Sequence, residues 1–272
     1  MDIVNELHPR RFAEVDDLLA FISIYEDRKR SRAYLSLLRK NRRWIRGGVC
    51  VDAGCGWGMF SQEMARLGAR KIYAVEANPL LVRMARQRLA NYPNVEVIHE
   101  EIQDFRPPEP VDVLVHEFFG QLLYDEDIHV LENLRFVPRY WLPDGAQLSG
   151  GVMDARDLVD ETVTLPVLQQ LEGVLVAGLF DDAGVPLTFP VLKWSPSRFR
   201  YHVEYDISTT QGDVLYLGLE IYHRGQKVCQ AGECENWSYV WTPRRGNRFR
   251  LEFLPDHRGM KVRFDWIDAS ME

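Results

Sequence analysis

Apolar and polar residues follow three different patterns along the chain. From about residue 13 to 43, apolar residues recur at helical spacing and the second half is basic, which predicts one or two amphipathic helices. From Val49 to about Gly145, short apolar runs alternate with helical segments, which predicts right-handed β-α-β units on a parallel sheet. Beyond Gly145 the helical period disappears, and runs rich in β-branched and aromatic residues predict an antiparallel barrel or sandwich.

These patterns divide the chain into three parts. We predict an N-terminal helical segment over residues 1–46, a Rossmann-like α/β domain over 47–146 and an antiparallel β-barrel domain over 147–272. The predicted strands of the middle part are VCVDAG, KIYAV, VEVIH and VDVLVHE, and its predicted helices are MFSQEMARL, LLVRMARQRLA and DIHVLENLRFV. The predicted strands of the last part are AQLSGGVMDARDL, RYHVEYDIS, VLYLGLEIYH, ENWSYVW, NRFRLEFL and MKVRFDWI.

Composition narrows the possible partners. The chain has 272 residues, 46% of them hydrophobic, and a net charge of −7 that argues against bulk attraction to nucleic acid. No apolar run reaches bilayer-spanning length and the N-terminus lacks a signal-like core, so we expect a soluble cytoplasmic protein without a membrane partner. Four cysteines do not make a disulfide framework, and Cys229 and Cys234 lack a second ligand pair at zinc-like spacing, so no metal is predicted.

A glycine-rich turn follows the first predicted strand. Gly54, Gly56 and Gly58 let the backbone turn tightly and approach a ligand, although dinucleotide enzymes use a similar motif and a plain strand-to-helix turn is the alternative. Asp52 lies in the turn itself, where an acid suits the cationic end of S-adenosylmethionine better than a pyrophosphate. Glu76 ends the next strand, about twenty residues on, where it can accept both hydroxyls of a ribose.

The stretch HEFFGQLLYDED places two of its acids nine residues apart. Glu117 directly follows an apolar run, and Glu126 lies across Gly120 from it. A buried carboxylate is costly unless it meets a cation or carries a proton, so this pair predicts a positively charged guest. The alternative is that both acids cap a helix and pair with Arg135 or Arg139.

The order of these motifs resembles the protein arginine methyltransferases from about Ile24 to Gly145, and more thinly from there to the C-terminus. That family carries Asp, Arg and Tyr on an N-terminal helix, and YEDRKRSRAY supplies Asp27, Arg30 and Tyr34. VDAGCGWG and GARKIYAVEANP are similar to its glycine turn and ribose-binding strand. The spacing of its double-glutamate loop is also present in HEFFGQLLYDED. The chain resembles a compact, bacterial- or archaeal-like member.

The resemblance implies a role for each matching residue. Arg30 would clasp the cofactor carboxylate beneath a covering helical segment, and Ile102 and Gln103 would lie at the adenine. Glu117 and Glu126 would bind a guanidinium in fork geometry, draw positive charge toward the bound nitrogens and leave another nitrogen aimed at the sulfonium methyl.

Two departures from the family matter. In CENWSYVW, Asn236 stands where the family has a His, and Trp237 follows it; both are implied to bind substrate, although Trp237 could equally be a barrel core residue. The stretch LPVLQQLEGVLVAGLFDDAGVPL is short for the family's dimerisation arm, which puts a homodimer in doubt.

The function implied is S-adenosylmethionine-dependent N-methyl transfer to a guanidinium nitrogen of arginine in a protein or peptide. One alternative is methylation of a small guanidino or amine compound by the same cofactor domain. Another is a protein that binds the cofactor but is inactive and serves in an interaction, because Asn236 cannot carry the charge of the His it replaces.

Overall fold

A computed structural model of the chain describes residues 8–159, 163–178, 185–256 and 259–267. The chain forms two compact units, one from Met1–His116 with Leu134–Leu142 and the other from Glu117–Asn133 with Pro143–Glu272. The segment 117–133 therefore leaves the first unit, joins the second, and the chain then returns for a last strand of the first.

The first unit begins with the predicted helices. Helix α1 spans Pro9–Glu26 and α2 spans Arg28–Lys40, with a short α3 at Arg42–Ile45. Asp27 separates α1 from α2 and caps α2, because its Oδ1 accepts a hydrogen bond from the backbone N of Arg30 at 2.9 Å. The prediction of one or two helices in this region is thus confirmed, since two long helices are separated by the capping residue Asp27.

A parallel sheet forms the core of the first unit, in the order β3-β2-β1-β4-β5. The strand β1 lies at its centre and is buried along its whole length, as expected for a strand covered on both faces. All four predicted strands are present, and the strand order reverses beside β1, where open α/β sheets bind ligands. The strands are β1 Val49–Ala53, β2 Lys71–Glu76, β3 Val95–His99, β4 Val113–His116 and β5 Tyr140–Leu142, with helices α4 Met59–Arg66 and α5 Pro79–Leu89.

The prediction of an α-helix over DIHVLENLRFV is wrong. The structure has a 3₁₀ helix over Asp127–Asn133 instead of an α-helix, and this helix belongs to the second unit. Its buried residues, Ile128 and Leu131, are three apart, the spacing that places side chains on one face of a helix with three residues per turn.

The second unit is antiparallel, with a barrel-like arrangement of a six-stranded and a three-stranded sheet. All six predicted strand regions contain a strand, whereas β7, β8 and β11 were not predicted. The longest strand, β10, pairs with β6, β11 and β12 and is buried almost throughout. The strands are β6 Gly145–Met153, β7 Val176–Ala177, β8 Phe189–Trp194, β9 His202–Asp206, β10 Val214–His223, β11 Gln226–Gln230, β12 Val240–Pro243, β13 Arg248–Asp256 and β14 Gly259–Trp266.

The four cysteines make no disulfide framework, but two of them are paired. Cys229 and Cys234 form a disulfide at the end of β11, because the chain turns back there and the backbone N of Cys234 donates to the carbonyl of Gln230 at 3.2 Å. Cys50 and Cys55 are buried free thiols.

The stretch compared with a dimerisation arm contains a short helix α6 at Leu165–Gln169 and strand β7, and its residues 179–184 lie outside the described part of the chain. None of the helices within the described residues combines the length and apolar character needed to cross a bilayer.

Candidate functional site

The glycine turn joins β1 to α4 in the first unit. Gly54, Gly56 and Gly58 have φ values of +65°, +55° and +88°, a region that L side chains rarely adopt. A Cβ at Gly56 would lie 2.6 Å from the hydroxyl of Tyr25, and one at Gly58 would lie 2.6 Å from Cδ1 of Leu89. The turn thus favours glycine at both positions for conformation, and a side chain there would also displace Tyr25 or Leu89.

Asp52, the residue two before the first glycine, is fully buried. Its Oδ2 accepts hydrogen bonds from the backbone N and the Oγ of Ser61, at 2.8 and 2.6 Å. Its Oδ1 is also buried and has no hydrogen-bond partner among the described residues. Burial raises the pKa of Asp52 to about 6, with the Ser61 bonds opposing the rise and the charge of Glu76 adding to it. One carboxylate oxygen therefore retains its full capacity to accept a hydrogen bond from a cationic ligand.

Glu76 connects the tip of β2 to the glycine turn. Its Oε2 accepts a hydrogen bond from the backbone N of Gly56 at 2.8 Å, and its Oε1 accepts one from the backbone N of Asn78 at 2.8 Å. Burial raises its pKa, and these backbone bonds oppose the rise. Because a carboxylate offers about four acceptor positions, Glu76 can still accept from the hydroxyls of a ribose.

Aromatic rings pack around this turn and the start of α4, and of their residues Tyr34 alone was named from the sequence. The rings of Tyr25 and Trp57 stack at 4.1 Å, and those of Tyr34 and Phe60 stack at 5.3 Å. The first contact holds α1 against the glycine turn, and the second holds α2 against α4. The hydroxyl of Tyr34 is buried and has no hydrogen-bond partner in the part of the chain that the structure describes. Arg30, four residues before Tyr34 on α2, is only 6% exposed.

The segment after β3 carries the residues predicted at an adenine. Ile102 is buried and Gln103 is half-buried, and the side-chain Oε1 of Gln103 has no hydrogen-bond partner within the described residues. Arg135 fixes this segment, because its Nε donates to the Gln103 carbonyl at 3.1 Å and its Nη2 donates to Asp104 at 2.9 Å. All the predicted cofactor residues thus belong to the first unit.

The loop that follows β4 belongs to the second unit, and we call residues 117–126 the acidic loop. Gly120 and Leu123 form a β-bridge, and the backbone N of Leu123 donates to the Gly120 carbonyl at 3.1 Å. Leu123 is fully buried at φ +78°, a strained conformation for a residue with a side chain. Asp125 closes the loop, since its Oδ1 accepts from the backbone N of Leu122 at 2.8 Å.

The two predicted catalytic acids differ from Asp125. Glu117 is half-buried and Glu126 is exposed, whereas the carboxylate of Asp125 serves the loop's own backbone. Asp125 directly precedes Glu126, and nothing in the local sequence separates their roles; the fold shows that Asp125 binds the backbone of the loop. Of the two arginines considered as alternative partners, Arg135 binds Asp104, and the guanidinium of Arg139 lies over the ring of Tyr140.

Contacts within the second unit support the acidic loop from outside. The indole Nε1 of Trp237 donates a hydrogen bond to the Phe119 carbonyl at 3.0 Å, and the Phe119 ring packs edge-on against Trp194 at 5.3 Å. Trp237 is only 3% exposed and is therefore a core residue, which is the alternative that the sequence allowed for it. The neighbouring Asn236 is half-buried. Direct contact of either residue with a substrate stays a prediction.

Asp52 should give the protein a characteristic pH dependence of stability. Its folded pKa of about 6 lies above the unfolded value of about 4, so its contribution is fully present below pH 4 and is lost as pH rises through 6. The free energy of unfolding should fall by up to about 3 kcal/mol over this range, since one pKa unit corresponds to about 1.4 kcal/mol. Urea unfolding at a series of pH values between 4.5 and 7.5 measures this fall in the free energy of unfolding. Asp52→Asn should reduce this slope to the part that comes from other acids with a raised pKa, such as Glu76, whereas the exposed control Glu100→Gln should keep the whole slope. Equal slopes in wild type and Asp52→Asn would contradict the assignment.

Gly120 should be replaceable only at a cost to the acidic loop. A Cβ at Gly120 would lie within 2.5 Å of the Asp125 Cγ, so Gly120→Ala must displace the carboxylate that closes the loop. We expect it to lower the free energy of unfolding by about 1–3 kcal/mol, the usual cost of overpacking. The matched control is Gly145→Ala, whose nearest new contact, to Tyr222, would be an ordinary 3.7 Å. Equal unfolding free energies for both variants would show that the loop adapts without strain.

Comparison with known proteins finds similarity to methyltransferases in part of the sequence. Residues 50–137 match a protein-family profile described as a methyltransferase domain. A probable protein arginine N-methyltransferase 6.1 of Oryza sativa subsp. indica is 34% identical over 125 residues, which cover 45% of this chain and 32% of the relative. Protein arginine N-methyltransferase 6 of Danio rerio is 32% identical over 136 residues, covering 49% and 38%. The chain thus spans about a third of the length of these curated relatives.

Solved structures match over nearly the whole chain. The PRMT1 enzyme–prozyme heterotetrameric complex of Trypanosoma brucei with AdoHcy has a TM-score of 0.69 at 15% identity and covers 92% of this chain and 94% of that chain. Protein arginine methyltransferase 10 of Arabidopsis thaliana has a TM-score of 0.66 at 17% identity, covering 91% and 92%. The chain therefore has the fold of the solved arginine methyltransferases, a Rossmann-like sheet domain followed by an antiparallel barrel-like domain, and residues 50–137 match a methyltransferase domain in sequence.

Proposed function

We propose that this protein is an S-adenosylmethionine-dependent methyltransferase that transfers a methyl group to a guanidinium nitrogen of arginine in a protein or peptide. The observation that carries the proposal is the acidic loop, which keeps Glu117 and Glu126 partly or fully exposed while Asp125 meets the loop's own backbone donors. Carboxylates placed in this way suit a cation with several N–H donors. Similarity to named arginine methyltransferases over 125 to 136 residues supports the same choice.

The first unit fits the cofactor. The buried Oδ1 of Asp52 suits the cationic amino group, and Glu76, already fixed by two backbone amides, suits the ribose hydroxyls. Arg30 would pair with the cofactor carboxylate, and Ile102 and Gln103 would receive the adenine, with the Gln103 Oε1 accepting from its exocyclic amine. When bound, S-adenosylmethionine supplies an electrophilic methyl group on a sulfonium sulfur.

Glu117 and Glu126 act on the methyl acceptor in this proposal. Arginine keeps its proton with a pKa above about 12, so the nitrogens of its delocalised cation are poor nucleophiles. Two carboxylates that accept its N–H groups hold the guanidinium in one orientation and draw positive charge toward the bound nitrogens. The remaining nitrogen then has more lone-pair character, and its rate of attack rises through alignment and electrostatics without a covalent intermediate.

The finer attributes of the protein are also proposals. We infer a compact, bacterial- or archaeal-like form of the enzyme that acts in the cytoplasm on protein or peptide substrates. The net charge of −7 supports a partner other than nucleic acid. The short stretch around α6 and β7, compared above with a dimerisation arm, supports a form without the family's head-to-tail homodimer.

Removing either acidic charge should abolish most of the activity. Glu117→Gln and Glu126→Gln keep shape and hydrogen-bonding atoms, so we expect turnover to fall by roughly 10²–10³-fold while cofactor affinity stays near wild type. The double variant should lose little more than the worse single one, because both groups hold one guanidinium. Radiolabelled methyl transfer to an arginine-rich peptide, followed by amino-acid analysis of the product, measures this.

The control for these variants is Glu132→Gln, in the 3₁₀ helix that follows the acidic loop, where Glu132 accepts a hydrogen bond from the Tyr201 hydroxyl at 2.6 Å. It should keep turnover near wild type. Near-wild-type turnover in both glutamine variants of the acidic loop would reject the arginine assignment. Label in a small guanidino or amine compound, and none in peptide arginine, would favour the first alternative substrate class. Binding of S-adenosylhomocysteine without any product would favour an inactive interaction protein.

Arg30 should contribute to cofactor binding and little to the fold. Arg30→Ala removes a charge-assisted pair with the cofactor carboxylate, so we expect the binding free energy of S-adenosylhomocysteine to weaken by about 1.5–3 kcal/mol in calorimetry. The matched control is Arg28→Ala, an exposed arginine on the same helix, which should leave affinity unchanged. Unchanged affinity in Arg30→Ala would remove this residue from the cofactor site.

A further inference from the structure

We propose that the segment from Cys229 to Trp237 is a redox-sensitive clamp on the acidic loop, in which Trp237 is a positioning residue and the Cys229–Cys234 disulfide holds it in place. We call residues 229–237 the clamp. The contribution to turnover rests on the proposed function, whereas the effect on the acidic loop is independent of it.

A buried hydrogen bond joins the clamp to the acidic loop. The Nε1 of Trp237 donates to the carbonyl of Phe119, which lies two residues after Glu117 and directly before Gly120. Phe119 and Trp237 are both almost completely buried. If the indole moved away, that carbonyl would lose this donor in a place that water cannot easily reach, which is costly. The position of the indole therefore constrains the backbone beside Glu117.

The acidic loop needs support of this kind because its conformation is strained. Leu123 is fully buried at φ +78°, and the space beside Gly120 is filled by the Asp125 carboxylate. A residue with a side chain persists in the left-handed region only where its surroundings hold it there. Weakening an outside contact allows such a loop to relax, and relaxation would move Glu117.

The clamp is itself a tight turn closed by the disulfide. The backbone N of Trp237 donates to the Cys234 carbonyl at 3.1 Å, and the backbone N of Gly232 donates to the Trp237 carbonyl at 3.0 Å. Cys229 lies on β11, paired with Ile221 of the buried strand β10, so the disulfide fastens Cys234, and through it Trp237, to the sheet. Without that covalent bond, the turn depends on hydrogen bonds that are individually weak.

Reduction would open this link. A dithiol reductant breaks the Sγ–Sγ bond, two electrons and two protons pass to the sulfurs of Cys229 and Cys234, and the reductant becomes a disulfide. The two resulting thiols no longer restrain the clamp. Because Cys50 and Cys55 are already free thiols, the disulfide is the only redox-reversible bond among the described residues.

Hydrogen exchange tests the clamp directly and needs no enzymatic activity. The full chain, purified without reductant, is compared with the same protein after dithiothreitol, with thiol titration to verify that two thiols are gained. The amides of Leu122, Leu123 and Tyr124, which are hydrogen-bonded inside the loop, should exchange about tenfold faster after reduction. Amides in the β13–β14 ladder should not change. Unchanged exchange in the loop after verified reduction overturns the proposal.

Variants separate the disulfide from the indole. Cys229→Ser with Cys234→Ser should reproduce the fast exchange and remove any further response to dithiothreitol. Trp237→Phe keeps an aromatic ring but removes the donor, and it should also speed loop exchange, while the matched control Trp266→Phe on β14 should not. If Trp237→Phe does not fold, the reduction of the wild-type chain still decides the question.

The kinetic readout distinguishes positioning from general destabilisation. Reduction and Trp237→Phe should each lower kcat about tenfold, the effect of one lost hydrogen bond, and leave the Kd of S-adenosylhomocysteine unchanged. Wild-type protein without any methyl transfer would refute the proposed function and leave the exchange test valid. Normal methyl transfer that responds to neither reduction nor Trp237→Phe would refute the clamp's role in turnover and leave the proposed function standing.

Discussion

A buried carboxylate must be given hydrogen-bond donors, and this chain supplies them largely from its own backbone. Glu76 accepts from the amides of Gly56 and Asn78, and Asp52 accepts from the amide and hydroxyl of Ser61. The bond from Gly56 holds the end of β2 against the glycine turn, and the bonds from Ser61 hold β1 against the start of α4. They also leave Asp52 with one oxygen that has no partner among the described residues. The same interactions that shape the turn therefore prepare it for a cationic ligand.

The acidic loop uses the same principle with a different result. Asp125 accepts from the amide of Leu122 and fills the space beside Gly120, so the carboxylate is consumed by the loop's own conformation. Glu117 is half-buried and Glu126 is exposed, and these are the two acids to which the proposed function assigns the guanidinium. Strain at Leu123 makes the loop dependent on contacts such as that of Trp237.

Much of the fold followed from local patterns. A strand buried on both faces has a continuous apolar run, and a helix buried on one face has an apolar stripe. The elements around Asp52 and Glu76 could therefore be predicted without knowledge of tertiary contacts. The family resemblance added the positions of Arg30 and the acidic loop. Short strands such as β7 carry too few residues to show a period, and the segment 127–133 was misread because apolar spacing alone does not separate an α-helix from a 3₁₀ helix.

The sequence by itself determined the order of elements, the glycine turn and the two acids at the ends of β1 and β2, because each depends on residues close together in the chain. Only the tertiary structure decided which partners those residues meet. Ser61 beside Asp52, Tyr25 over Gly56, the indole of Trp237 on Phe119 and the joining of Cys229 to Cys234 all depend on how the chain returns on itself. Such contacts are set by packing and by the need to satisfy buried polar groups, and the spacing of residues along the chain predicts neither.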